Sequence, residues 1–301
     1  MLIGADWRAG GGAALDVENP ASGEVIGSIA TAAPADIDAA VQAARHAFDD
    51  KRWRGMAPAA RAAILWRVSE LLAEHADELA TLETLENGKP LIPMRAHEVP
   101  FAAECFRYHA GWCTKLAGAA QPLAGATEAE FMAYTRREPV GVCALIVPWN
   151  GPLVQASWKL APALAAGCSV VLKPAELTPL VTLRLAELLL EAGLPPGVVN
   201  VINGTGAEVG AALARHPDVN KVSFTGSTAV GRELAASVGA DLKRLTLELG
   251  GKSPCIVFAD ADLDKAIPGV AAAIFSNAGQ VCVAGSRLYV ERAVYGEVLS
   301  G

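Results

Sequence analysis

From Gly141 onward the chain alternates short apolar runs with longer amphipathic ones, a rhythm that few folds accept. The runs Gly141 to Val147, Ser169 to Leu172, Val198 to Ile202, Lys221 to Thr225 and Arg244 to Leu249 have the length and composition of buried strands. Helical stretches fill the gaps at Pro152 to Ala166, Pro179 to Ala192, roughly Ala207 to Arg215, and Thr228 to Val238. Gly167, Gly193 and Gly239 follow three of them and proline opens two, as helix ends prefer. Strands that alternate with helices predict an α/β fold with a parallel sheet covered on both faces. Its connections are right-handed, and ligands gather at the carboxyl ends of the strands.

The flanks read differently. Residues 1–33 mix glycine, proline and short apolar alternations, which suits a small hairpin ahead of the first helix. Helical spacing then runs over Pro34 to Asp49, over Pro58 to Asn87 before a capping Gly88, and over Ala96 to Leu116. Cys105 and Trp112 on the last of these fit core packing. Residues 121–138 loosen into a strand-like alternation around Phe131 to Arg136, consistent with a protruding hairpin. From Ser253 a second unit opens with a strand at Pro254 to Phe258, a helix from about Ala261 to Ser276, and a strand at Leu288 to Glu291.

With 301 residues and 52% hydrophobic content, the chain can bury a large core and form more than one domain. A formal charge of -7 argues against nucleic acid or an anionic membrane surface as partner. The first residues show no basic segment followed by an apolar core, and the Ala-rich run Ala161 to Leu172 is too short to cross a bilayer, so a cytoplasmic protein is expected. The six cysteines lack both Cys-x-x-Cys pairs and zinc-like spacing with histidine; no metal site and reduced thiols are expected. The five histidines touch none of the motifs and read as surface or packing residues.

Three places carry chemistry. Cys282, in Gly-Gln-Val-Cys-Val-Ala-Gly-Ser-Arg, stands among small and apolar residues as a candidate nucleophile; the alternative is an inert packed thiol. Glu248 ends the apolar strand Leu-Thr-Leu-Glu-Leu, where burial would raise a carboxyl towards the range of a general base. The alternative there is an ion-paired strand-end acid. Asn150 follows the strand end Ile-Val-Pro-Trp, able to donate to an oxyanion, to cap the helix that opens at Pro152, or to do both.

Signals for a cofactor are spread out. No Gly-x-Gly-x-x-Gly follows the first strand of the sheet, and Gly204-Thr-Gly206-Ala-Glu-Val-Gly210 is one residue too long. Lys173 and Glu176 follow the second strand; an acid there accepts hydrogen bonds from ribose hydroxyls and repels a 2′-phosphate, which favours NAD over NADP. A solvated Lys/Glu turn is the plainer reading. Gly226-Ser227-Thr-Ala-Val230-Gly231 joins a strand to a helix start, where free N–H groups suit a pyrophosphate; an ordinary tight turn is the alternative.

Pro-Trp-Asn at 148–150, Lys-Pro-Ala-Glu at 173–176, Phe-Thr-Gly-Ser-Thr at 224–228, Glu-Leu-Gly-Gly-Lys at 248–252 and Gly-Gln-Val-Cys at 279–282 occur in the order of the aldehyde dehydrogenase superfamily, which this chain resembles. The resemblance implies NAD-dependent oxidation of a small-molecule aldehyde to a carboxylic acid through a thiohemiacetal and a thioester on Cys282. Asn150 and the Cys282 N–H would stabilise the oxyanion and Glu248 would activate the hydrolytic water, which sets the chain apart from relatives that pass the acyl group to coenzyme A. It implies a cofactor site formed by Ile146, Trp149, Lys173, Glu176, Gly206, Gly210, Phe224, Gly226, Ser227, Val230, Gly231 and Leu249. A substrate channel would draw on Gly151, Gln155, Trp158, Val281 and Val283, with room for a medium or aromatic aldehyde.

The organisation implied is a Rossmann-like dinucleotide-binding domain over 1–120 and 139–250, an oligomerisation hairpin at 121–138, and the start of a second α/β catalytic domain at 251–301. A full-length form is expected to be a homo-oligomer, dimer or tetramer. Family members continue well past Gly301, so the alternative expectation is a truncated, catalytically incomplete fragment that acts at most as a nucleotide-binding module.

Overall fold

Two of the expected strands are buried along their whole length, and the fold is built around them. In the computed structural model, which describes residues 1–125 and 131–301, Val142–Ile146 and Ser169–Lys173 lie side by side in parallel, every residue buried. Continuous apolar runs of this kind belong to sheets covered on both faces.

In chain order the strands are β1 Leu2–Ile3, β2 Asp6–Trp7, β3 Ala14–Glu18, β4 Val25–Ala30, β5 Ala120–Gln121, β6 Ala133–Tyr134, β7 Val142–Ile146, β8 Ser169–Lys173, β9 Val199–Val201, β10 Lys221–Gly226, β11 Arg244–Leu249, β12 Pro254–Val257 and β13 Arg287–Val290. Seven form one sheet in the order β11-β10-β7-β8-β9-β1-β2. The run β10-β7-β8-β9 is parallel, and β1 joins β9 antiparallel. The order reverses at β7: β8 and β9 lie on one side of it, β10 on the other. Such a switch point is where open α/β sheets place ligands.

The chain divides into two compact units, residues 1–224 with 233–246, and residues 225–232 with 247–301. In the first, the helices Pro34–Asp49, Pro152–Ala165 and Leu180–Glu191 lie against the sheet, and Pro58–Glu74 and Val99–Ala110 pack together against Pro152–Ala165. Trp53, Leu65, Leu72, Phe106, Leu153 and Leu164 are among the fully buried side chains. The Trp53 indole N–H donates to Leu164 O at 2.9 Å, which satisfies the one polar atom of that ring. In the second unit β12 and β13 pair in parallel around the helix Leu263–Phe275, a further βαβ element.

Several expectations change. The helix read over Pro58 to Asn87 is two, Pro58–Glu74 and Ala76–Asn87, broken at His75, whose backbone leaves helical geometry. Apolar spacing continues through the break, so periodicity could not reveal it. The stretch Ala96 to Leu116 opens in a wide π turn at Met94–Glu98 and ends its helix at Ala110. Trp112 beyond that end is exposed and is not a core residue, whereas Cys105, half-buried, packs against the core as expected. The N-terminus forms the expected hairpin, β3 with β4, and also two short strands that extend the main sheet. Within 121–138, β5 pairs β6 antiparallel through Gln121 and Ala133; residues 126–130 of that segment lie outside the described residues.

Candidate active site

Taken by itself, the first unit gathers its site residues where β7 and β8 end. Ile146, the last residue of β7, pairs Lys173 on one side and Phe224 on the other. A side chain on Gly210 would stand 3.6 Å from Lys173 Cδ and 3.9 Å from Ile146 Cδ1, so the backbone there approaches both. Lys173 is buried to its tip, where Nζ meets the Glu176 carboxylate at 3.3 Å and donates to Pro174 O at 2.9 Å. Burial holds its pKa below the usual lysine range, and the Glu176 charge opposes that shift. Nothing stands within 4 Å of a side chain placed on Gly206.

Past β7 the chain turns through Pro148, Trp149 and Asn150 into the helix Pro152–Ala165, which takes Gly151 as its N-cap, not Asn150. The Trp149 carbonyl accepts Asn87 Nδ2 at 2.6 Å and Thr178 Oγ1 at 3.2 Å. Gln155 N–H closes the first helical turn on Gly151 O, and the Gln155 side chain is buried. Trp158 is half exposed and meets Phe101 edge to face, ring centroids 5.8 Å apart at 88°.

Phe101 and Trp158 line a cavity of about 520 Å³ with Ala96, His97, Glu98 and Val154. Of these six only Trp158 was expected. Val154 and Trp158 share one helix face at i and i+4, a spacing visible in the sequence. Phe101 and His97 come from a helix some 50 residues earlier, and no local signal connects them to Asn150.

The second unit holds the other residues. Ser227 caps the helix Thr228–Ala240: its Oγ accepts Val230 N–H at 3.3 Å, and its carbonyl accepts Gly231 N–H at 3.0 Å. Gly231 faces Leu249, since a side chain there would lie 2.5 Å from Leu249 Cδ2. Gly250 approaches Thr228 Oγ1, and a side chain on Gly251 would stand 3.4 Å from the Cys282 carbonyl. Three residues past Glu248, the strand-end loop therefore touches the loop of Cys282.

Three successive residues in the left-handed region lead into that loop: Asn277 at φ 48°, Ala278 at φ 55° and Gly279 at φ 77°. Gln280 N–H closes this turn on Asn277 O at 3.0 Å, and Ala284 N–H bonds Val281 O at 3.0 Å. Cys282 and Val283 are exposed and Val281 is half-buried. Glu248 is also exposed, against the expectation of a buried carboxyl, because β11 is the edge strand and its residues alternate between exposed and half-buried.

The residues fit a dinucleotide in each unit taken by itself. The first offers a carboxylate at the end of β8 steadied by a buried ammonium, beside a glycine turn open to a ligand. The second offers a serine-capped helix start where N–H groups favour phosphate. No helix among the described residues is long and apolar enough to cross a membrane.

Comparison with known proteins agrees with this geometry. The chain is 52% identical over 302 residues to phenylacetaldehyde dehydrogenase of Pseudomonas fluorescens, covering 99% of this chain and 60% of that protein. It is 49% identical over 281 residues to human mitochondrial aldehyde dehydrogenase, covering 93% of this chain and 54% of that one. The structure of an aldehyde dehydrogenase from Bacillus cereus in complex with NAD+ superposes with a TM-score of 0.96 at 46% identity, covering 100% of this chain and 60% of that one. The chain thus spans about 60% or less of the length of these relatives. Residues 7–301 match the aldehyde dehydrogenase family throughout, and with the motif residues standing at strand ends and helix starts, the chain belongs to that family.

Proposed function

We propose that the protein takes part in the oxidation of an aldehyde to a carboxylic acid, with NAD as cofactor and Cys282 as nucleophile. The Cys282 thiolate adds to the aldehyde carbonyl, and the resulting oxyanion takes hydrogen bonds from Asn150 Nδ2 and the Cys282 N–H. Losing one such donor typically costs about 100- to 1000-fold in rate. NAD, when bound, supplies the hydride acceptor that lets the thiohemiacetal become a thioester. Glu248 then takes a proton from the water that hydrolyses the thioester, which releases the acid and frees the thiol.

Ile146, Trp149, Lys173, Glu176, Gly206, Gly210, Phe224, Gly226, Ser227, Val230, Gly231 and Leu249 would hold the cofactor, with Glu176 selecting NAD over NADP. Gly151, Gln155, Trp158, Val281 and Val283 would border the substrate. The cavity walled by Phe101, Val154 and Trp158 suits an aromatic or arylalkyl aldehyde, and the likeness to phenylacetaldehyde dehydrogenase favours that class. The division into a dinucleotide-binding domain, an oligomerisation hairpin at 121–138 and a catalytic unit, a homo-oligomeric assembly and a cytoplasmic location belong to the same reading.

The observation that carries it is the contact in the second unit between the Glu-Leu-Gly-Gly strand end and the exposed Cys282 loop. Rapid mixing with NAD and phenylacetaldehyde tests it. Cys282→Ala removes the thioester and all NADH formation, whereas Glu248→Gln gives one burst of NADH per thiol and then stalls. Equal loss of burst and steady state in Glu248→Gln would remove the carboxylate from the hydrolytic step.

A further inference from the structure

We propose that Asn87 and Thr178 are positioning residues for Asn150, acting through the carbonyl of Trp149. The proposal rests on the role given to Asn150 above. A peptide group is planar, so the Trp149 carbonyl, the Asn150 N–H and the Asn150 Cα lie in one plane, and fixing the carbonyl fixes where that Cα sits and leaves φ as the one backbone torsion that aims the Asn150 side chain. Between β7 and the helix that follows it, regular backbone bonding lapses. Val147 N–H makes a last bond, to Lys173 O, and Gln155 N–H is the first to close on Gly151 O. Pro148, between them, has no N–H to offer.

Within that gap two side chains hold one carbonyl. Asn87 Nδ2 donates at 2.6 Å and Thr178 Oγ1 at 3.2 Å. They come from independent supports. Asn87 is the last residue of the helix Ala76–Asn87, stopped there by Gly88 at φ +83°. Thr178 sits in the turn after β8, its own N–H bonded to Ala175 O at 3.2 Å. Both are buried, so water does not compete for the bonds.

The fit is costly in one respect. Asn87 Oδ1 is buried and has no hydrogen-bond partner among the described residues. Burying an unsatisfied amide oxygen opposes folding. What the side chain delivers in return is its donor, aimed at the Trp149 carbonyl.

Hydrogen exchange followed by mass spectrometry on the full chain reads the clamp without needing turnover. Thr178→Val and Asn87→Ala should speed exchange of the amides over residues 149–151 about tenfold or more, Thr178→Ser should stay within twofold of the parent, and β7 and β8 should keep their protection. Exchange over 149–151 that is unchanged in both Thr178→Val and Asn87→Ala, or a rise spread evenly through the sheet, overturns the proposal. Should Asn87→Ala fail to fold, Asn87→Leu, which keeps the branched shape and removes the donor, replaces it.

A second readout separates this proposal from the reading beneath it. In the NADH burst, Thr178→Val should slow the parent on the order of 10- to 100-fold, as small misplacements of a reacting group do. It should slow an Asn150→Ala background no further, whereas a merely structural defect would add to it. If Asn150→Ala alone leaves the burst unchanged, the role of Asn150 fails, and the exchange result still decides whether the clamp exists.

Discussion

Gly231 lies against Leu249: a side chain on the glycine would stand 2.5 Å from Leu249 Cδ2 and 3.1 Å from Cδ1. The helix Thr228–Ala240 and the end of β11 approach this closely because position 231 has no side chain. Alanine would add about 1 kcal/mol of helix propensity, against a typical overpacking cost of about 1–3 kcal/mol. Gly231→Ala is therefore expected to destabilise by up to about 1–2 kcal/mol. In a Leu249→Ala background the same change should stabilise by about 0.5–1 kcal/mol. Urea unfolding of the four proteins checks the reversal of sign; additive effects would show that the two residues do not compete for space.

Ala278 is held at φ 55° between Asn277 and Gly279, all three left-handed. An L-residue with a Cβ pays roughly 1–2 kcal/mol there and glycine does not, although glycine gives back about 0.5–1 kcal/mol through the freer unfolded chain. Ala278→Gly should thus raise stability slightly, by about 0.5 kcal/mol. A lower melting temperature for this variant would show that the turn is not strained at 278.

Two buried carboxyls give the first unit a pH dependence of definite sign. Burial pushes Glu83 up to about 7, with Lys89 Nζ at 3.3 Å opposing the shift. Burial pushes Glu86 up to about 8, although Leu180 and Val181 N–H groups donate to it at 2.7 and 3.0 Å. The folded chain then holds protons that the unfolded chain, with ordinary values of 4.5, has released. Their contribution is fully present below the unfolded value and is lost as pH rises through the folded ones. Unfolding free energy should fall between about pH 5 and 8 by on the order of 1.4 kcal/mol per pH unit for each carboxyl still protonated. Urea midpoints across that range check it, and Glu86→Gln should flatten the slope whatever its offset.

At the acid end another pair acts in the opposite sense. The Arg184 guanidinium, bonded at 2.7 Å, holds Glu78 below the ordinary glutamate range, with help from His75. Stability from this contact is present above the unfolded value and fades as pH falls through the folded one. The carboxylate is largely exposed, so Arg184→Gln should cost no more than about 1 kcal/mol at neutral pH, and less in high salt.

Trp53→Phe tests the indole bond at the core. Leu164 O keeps a second donor, Gly167 N–H at 2.9 Å, so the carbonyl is not orphaned. The loss should be about 1–3 kcal/mol, most of it from the smaller ring. A thermal scan checks this; a loss near 5 kcal/mol would mean that the bond itself matters more than the packing.

Much of the fold was legible because its signals are local. The strands at Val142–Ile146 and Ser169–Lys173 appear as apolar runs of strand length, and Gly88 marks a helix end where it takes positive φ. The break at His75 was not legible, since the apolar stripe runs on through it. Nor was the exposure of Glu248: an apolar strand pattern does not say whether the strand lies at an edge. The aromatic wall of the cavity was half legible, through Trp158 alone, because Phe101 belongs to a helix remote in the chain.

By itself, then, the order of residues determined the succession of strands and helices, their capping and turning points, and the kinds of reactive groups at their ends, because each depends on neighbours a few positions apart. Only the tertiary structure decided that Glu86 would meet the start of a helix 94 residues on, and that Asn87 would hold a carbonyl 62 residues away. Apolar burial has no direction and accepts many packings of the same pattern, whereas a hydrogen bond between distant residues exists only once one packing has brought donor and acceptor within reach.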